Sequence, residues 1–90
     1  MRYILIAYDL KQPGRNYSEL YDQIKGLGDW KHPMESVWVV RVEDELSLNQ
    51  IRGTLRTKMD NNDFIFVVDI TRSPYSGWLA SSFWEWFRTV

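Results

Sequence analysis

Arg2-Tyr3-Ile4-Leu5-Ile6-Ala7-Tyr8-Asp9-Leu10 decides the fold. The run is rich in β-branched and aromatic residues, has no interior Gly or Pro, and therefore reads as a strand. Its apolar continuity predicts a central strand covered on both faces. A period of two sets Tyr3, Leu5, Ala7 and Asp9 on one face, with Ile4, Ile6, Tyr8 and Leu10 on the other. A charge at the end of a buried strand is costly unless that end is open. Asp9 is then either a solvent contact at the strand end or a working group.

The rest of the chain must build a sheet around this strand. Lys11 to Asn16 is a loop with Pro13-Gly14 as its turn. Asn16 with Glu19 imitates a capping box. Tyr17, Leu20, Tyr21, Ile24 and Leu27 follow at helical spacing, which predicts a helix over about 17–27, with Gly28 as its C-cap. Asp29 to Met34 reads as a short edge strand or a bent strand start, because Pro33 cannot sit inside a central ladder. Ser36 to Val42 is a strand, and Glu43-Asp44-Glu45 is an acidic loop. Ser47 opens a second helix with Leu48, Ile51, Leu55 and Met59 on one stripe. Asp60 to Asp63 is a turn, and Phe64 to Ile70 is the last strand. A polar linker then leads to a short aromatic helix within 80–88.

The resulting order, β-α-β-β-α-β, predicts a ferredoxin-like α+β sandwich over residues 1–77. Each helix has a single apolar stripe, so both should cover one sheet face. Residues 78–90 form an aromatic extension that packs on the domain or on a second subunit.

Composition narrows the function classes. Ninety residues with 44 % hydrophobic content support one small core. There is no cysteine, which removes disulfides and thiolate metal sites. The first residues reach Asp9 too soon for a signal peptide or a membrane span, so a cytoplasmic chain without membrane partners is expected. A small unstapled core makes a homodimer a natural expectation. The net charge of −1 lacks the surplus of a general polyanion binder, so nucleic-acid binding would need a local basic patch.

Tyr8-Asp9-Leu10, followed by Glu35-Ser36-Val37-Trp38, resembles the CRISPR-associated protein two family, closest to its stand-alone relatives with a tryptophan-rich middle (here Trp30) and an aromatic tail. The likeness spans about residues 1–70. It implies a ferredoxin-like homodimer linked to bacterial or viral defence. Some members of that family are metal-dependent nucleases and others are non-catalytic scaffolds. In the nuclease form, the aspartate matching Asp9 comes from both subunits and holds a divalent metal. The basic run that follows this aspartate in the family is reduced here to Lys11 and Arg15.

Asp9 is thus the first candidate catalytic and metal-binding residue, with Mg²⁺ or Mn²⁺ as the fitting hard cation. Glu35 is a second candidate ligand, and Ser36 a candidate to orient phosphate or water. Both adjoin Asp9 if the middle strand starts where the first one ends. Asp69 lies at the opposite end of the sheet and cannot pair with Asp9 within one chain; it should meet solvent or a partner. His32, the single histidine, has no motif around it. Lys11, Arg15, Arg52 and Arg56 are the candidate nucleic-acid contacts, with Lys25, Lys31 and Lys58 able to extend the patch. The tail aromatics suit packing or base stacking. The expected function is a non-catalytic homodimeric module for nucleic acid or a nucleotide. The alternative is a divalent-metal-dependent endonuclease using paired Asp9.

Overall fold

A computed structural model describes residues 1–43 and 45–88. Asp44, in the middle of the expected acidic loop, and the last two residues of the aromatic extension lie outside the described residues. The apolar opening run forms β1 (Arg2–Asp9). It is followed by α1 (Ser18–Lys25), β2 (Trp30–Met34), β3 (Val37–Val42), α2 (Leu48–Arg56), β4 (Phe64–Asp69) and α3 (Ser81–Phe87). The sheet is antiparallel in the order β2-β3-β1-β4, so the chain is a ferredoxin-like α+β fold. β1 is central: Ala7 pairs with Val37 of β3 on one side and with Phe66 of β4 on the other. Pro33 lies in edge strand β2, where a missing N–H costs no ladder bond.

α1 and α2 cover one sheet face. Leu20 and Ile24 of α1 and Ile51 and Leu55 of α2 bury against Ile4, Ile6, Trp38, Val40 and Val42. α2 opens on a complete capping box: Ser47 Oγ accepts from Gln50 N at 3.0 Å, and Gln50 Oε1 accepts from Ser47 N at 2.8 Å. α1 has no such box. Asn16 instead accepts from Ser18 N at 2.9 Å as a local turn, and Tyr17 stands at the N-cap without a side-chain capping bond.

Gly28 is also not the cap expected of it; α1 ends at Lys25 and Gly26 is its C-cap. Its role is close approach. A Cβ at Gly28 would lie 1.9 Å from the Arg41 carbonyl oxygen, so only glycine lets the turn after α1 press against β3.

β1 is covered on its second face only in part. α3 brings Phe83 onto Tyr3 and Val39, with Leu79, Trp84, Trp86 and Phe87 around them. Seven helical residues span about 10 Å, whereas an eight-residue strand spans about 27 Å. The half of this face around Ala7, Phe64 and Phe66 is therefore left open, with Phe64 and Phe66 67 % and 65 % exposed. Among the described residues, no helix is long and apolar enough to cross a membrane.

Candidate functional site

The two halves of the sequence motif meet where β1 ends and β3 begins. Tyr8 N donates to Ser36 O at 3.0 Å. The Trp38 indole N–H donates to the Tyr8 hydroxyl at 2.9 Å, and that hydroxyl donates onward to Glu35 O at 3.3 Å. Burial is the main reason the Tyr8 phenol titrates above its ordinary 10.0. His32 Nε2 lies 3.0 Å from the same Glu35 carbonyl, and its ring stacks on Trp38 at 3.9 Å and 11°. The sequence suggested Glu35 and Ser36 for their side chains; the contacts here are made by their backbone carbonyls. The lone histidine, which has no motif around it, stands exposed in strand β2 with its ring held on Trp38.

Asp9 projects from the end of β1 on the open face, and its side chain is 60 % exposed. Its Oδ2 pairs with Lys11 Nζ at 2.7 Å, and the same ammonium lies 5.8 Å from the centre of the Phe64 ring. An exposed pair of this kind contributes about 0–1 kcal/mol to stability; its main effect is to neutralise the carboxylate. Within one chain Asp9 is a single exposed carboxylate with Lys11 on its Oδ2, a thin donor set for Mg²⁺ or Mn²⁺. Among the described residues no group of three or more His, Cys, Asp or Glu side chains gathers.

Asp69 is separated from Asp9 as expected: it pairs in register with Ile4, whereas Asp9 pairs with Phe64. It does not simply face solvent. Its carboxylate accepts from Thr71 N at 2.9 Å and lies 3.6 Å from Arg2. Burial works against its charge, but Thr71 and Arg2 outweigh that and hold the carboxyl below its ordinary range.

The carboxylate that sequence reading missed is Asp63, only 6 % exposed. It accepts from Lys11 N at 2.7 Å, the Tyr17 hydroxyl at 2.8 Å and Asp60 N at 2.8 Å. Burial alone would raise its pKa. The three hydrogen bonds and nearby Arg15 prevail, and it titrates below 3.8. This aspartate fastens the loop after β1 to the loop before β4, and so fixes the backbone next to Asp9.

The basic residues do not form one patch. Lys11 serves Asp9. Arg15 lies 3.6 Å from Asp60, donates to Lys58 O and sits over Tyr17. Arg56 donates to Asp60 O at 3.0 Å, and Lys58 lies 3.7 Å from Glu19. Arg52 stands exposed on α2. Lys25 and Lys31 belong instead to the other end of the molecule, beside Arg41.

No family profile and no curated protein sequence matches the chain. Among solved structures, the chain is similar to a hypothetical protein, TT1823, from Thermus thermophilus, with a TM-score of 0.63 and 21 % identity over 88 % of this chain and 94 % of that one. The likeness is one of fold, and it places the ferredoxin-like sandwich described above in a second protein of nearly the same extent.

Proposed function

We propose that the chain is a homodimeric, non-catalytic module that binds nucleic acid or a nucleotide in the cytoplasm. The Lys11–Asp9 ion pair at 2.7 Å carries this reading. Asp9, the first of the two carboxylates that the sequence offers for metal chemistry, already has a counter-ion on its own chain, which favours holding a ligand over cleaving it. Self-association is supported by the open sheet face. Phe64 and Phe66 are exposed there, and Met34, Tyr75 and Trp78 border it, Trp78 at 98 % exposure. Large aromatics offer about 150–250 Å² each, so this face approaches the ~800 Å² per partner that a stable interface takes. The resemblance of Tyr8-Asp9-Leu10 and Glu35-Ser36-Val37-Trp38 to the CRISPR-associated protein two family supports the nucleic-acid ligand and a role in bacterial or viral defence. Sequestering a nucleotide signal is one form that role would take.

One observation favours a second reading, a Mg²⁺- or Mn²⁺-dependent endonuclease. Asp9 stands at the rim of the open face beside Phe64 and Phe66, so a dimer across that face would draw two Asp9 side chains together. Sedimentation of the protein with a labelled oligonucleotide in chelator tests the first reading. An intact oligonucleotide should travel with a species of twice the 10.8 kDa chain mass. A monomer that leaves the oligonucleotide behind would end it.

A further inference from the structure

At the end of the sheet remote from Asp9, an open cleft of about 500 Å³ wraps round the β2 edge. Lys25, the last residue of α1, Trp30 and Lys31 of β2, Arg41 of β3 and Trp86 of α3 line it, with Asp29 at its rim. Three cations and one carboxylate leave a local positive surplus on a chain whose net charge is −1. That surplus is interleaved with indoles. Lys25 Nζ lies 5.1 Å from the centre of the Trp30 ring. The Arg41 guanidinium lies 5.2 Å from Trp86 and 5.9 Å from Tyr3, and it pairs with Asp29 at 2.9 Å. Arg41 is thus held in place from several sides, whereas Lys25 and Lys31 end in flexible ammonium groups. Gly28 makes the arrangement attainable, because its missing Cβ lets the turn after α1 lie against the Arg41 carbonyl.

A ligand that carries both a flat ring and a negative charge satisfies the two halves of this lining together. Stacking a base on an exposed indole outweighs an exposed ammonium–indole contact. A base can therefore displace Lys25 from the Trp30 face, which releases the ammonium for phosphate. β2 is also an edge strand, so its outer backbone groups have no neighbouring strand and stand beside such a base.

We propose that this cleft binds an unpaired nucleotide within a single-stranded nucleic acid, with the base on Trp30 and the adjacent phosphates on Lys25 and Lys31. The proposal rests on the reading that the chain binds nucleic acid or a nucleotide, and it adds the site and the strandedness. A duplex is disfavoured because its base faces are already stacked on one another.

The test is fluorescence anisotropy with a labelled, unstructured single strand of about ten nucleotides, a length within the usual span of single-strand sites. A blunt duplex of the same length and a free mononucleotide as competitor complete the set. The single strand should bind best, with a log–log salt slope of about −1.4, the value for two phosphate contacts on a single strand. Trp30→Ala should weaken binding at least about tenfold with little change in salt slope, as the loss of one stacked base requires. Lys25→Gln with Lys31→Gln should weaken it and flatten the slope. Arg72→Gln, at an exposed cation outside the cleft, should leave it unchanged. Circular dichroism checks that Trp30→Ala and the lysine pair are folded; Lys25 is exposed and Lys31 half-buried, and neither belongs to the core. If the strand binds but neither cleft variant matters, the cleft is wrong and the general reading stands. Equal binding of duplex, or equal affinity for the free mononucleotide, overturns the single-strand claim. No binding of any of the three probes at low salt removes the general reading along with the cleft.

Discussion

The Trp38 indole N–H donates to the Tyr8 hydroxyl at 2.9 Å, joining the two short segments on which the family resemblance rests. The contact gives those residues a physical reason to occur together. Trp38 is buried, so its N–H needs an acceptor, and Tyr8 is the acceptor, its own proton going to Glu35 O. The Tyr8 and Trp38 positions of the resemblance thus have a structural role, which leaves Asp9 alone to distinguish binding from cleavage.

Tyr8→Phe should destabilise the fold by about 1–3 kcal/mol, because it orphans a buried donor. Trp38→Phe should cost a similar amount. In a urea double-mutant cycle the two should couple, since they remove the same bond. Strict additivity would show that the bond contributes nothing.

Asp63→Ala should cost about 3 kcal/mol, because three donors lose one charged acceptor. The pH dependence has a definite sign. The folded-state pKa of Asp63 lies below 3.8, so its contribution is complete above that value and is lost as the pH falls through the folded pKa. Asp69 acts in the same direction. Acid unfolding followed by circular dichroism should be shallower in Asp63→Asn than in the parent, and identical acid limbs would contradict the network.

Two glycine substitutions should have opposite signs. Gly28→Ala places a Cβ 1.9 Å from the Arg41 carbonyl oxygen and should destabilise by at least about 1–3 kcal/mol. Gly53→Ala, in α2 with nothing within 4 Å, should stabilise by about 0.5–1 kcal/mol. Melting temperatures that move in the same direction would refute the close-approach role of Gly28.

Phe66→Lys should convert the proposed dimer to a monomer without unfolding it. Phe66 is 65 % exposed, so within one chain little packing is lost. Across a symmetric apolar interface it would bury two unpaired charges, which is costly. Sedimentation should report a fall from twice the chain mass to the chain mass. An unchanged dimer would assign self-association to another surface.

How far the sequence could be read follows the range of each signal. β1, β3, α2 and β4 were legible because a run or a period announces each of them locally. Ser47 was legible as a cap for the same reason. Asp63 was not. In Asp60-Asn61-Asn62-Asp63 either carboxylate reads as a turn residue, and only the fold reveals that Tyr17 and Lys11 converge on the second. Gly28 looked like a helix cap because the chain gives no sign that β3 passes beside it. Lys25, Lys31 and Arg41 are spread over three elements, so their cleft exists only after β2 has folded back on β3. Half coverage of β1 was missed because an apolar run reports how hydrophobic a strand is and not how long its cover is.

Whether Asp9 serves a binding module or a nuclease is decided by assaying the parent and Asp9→Asn for cleavage of single- and double-stranded RNA and DNA. Each protein is measured with Mg²⁺, with Mn²⁺ and with a chelator. Asn keeps the size of Asp while removing the charge that would hold a divalent cation. The expected result is no cleavage above background by either protein, with the oligonucleotide still bound. A contaminating nuclease would survive the substitution and so be recognised. Metal-dependent cleavage by the parent that falls at least about tenfold in Asp9→Asn, a barrier change of roughly 1.4 kcal/mol, would rule out a non-catalytic module and establish the endonuclease in its place.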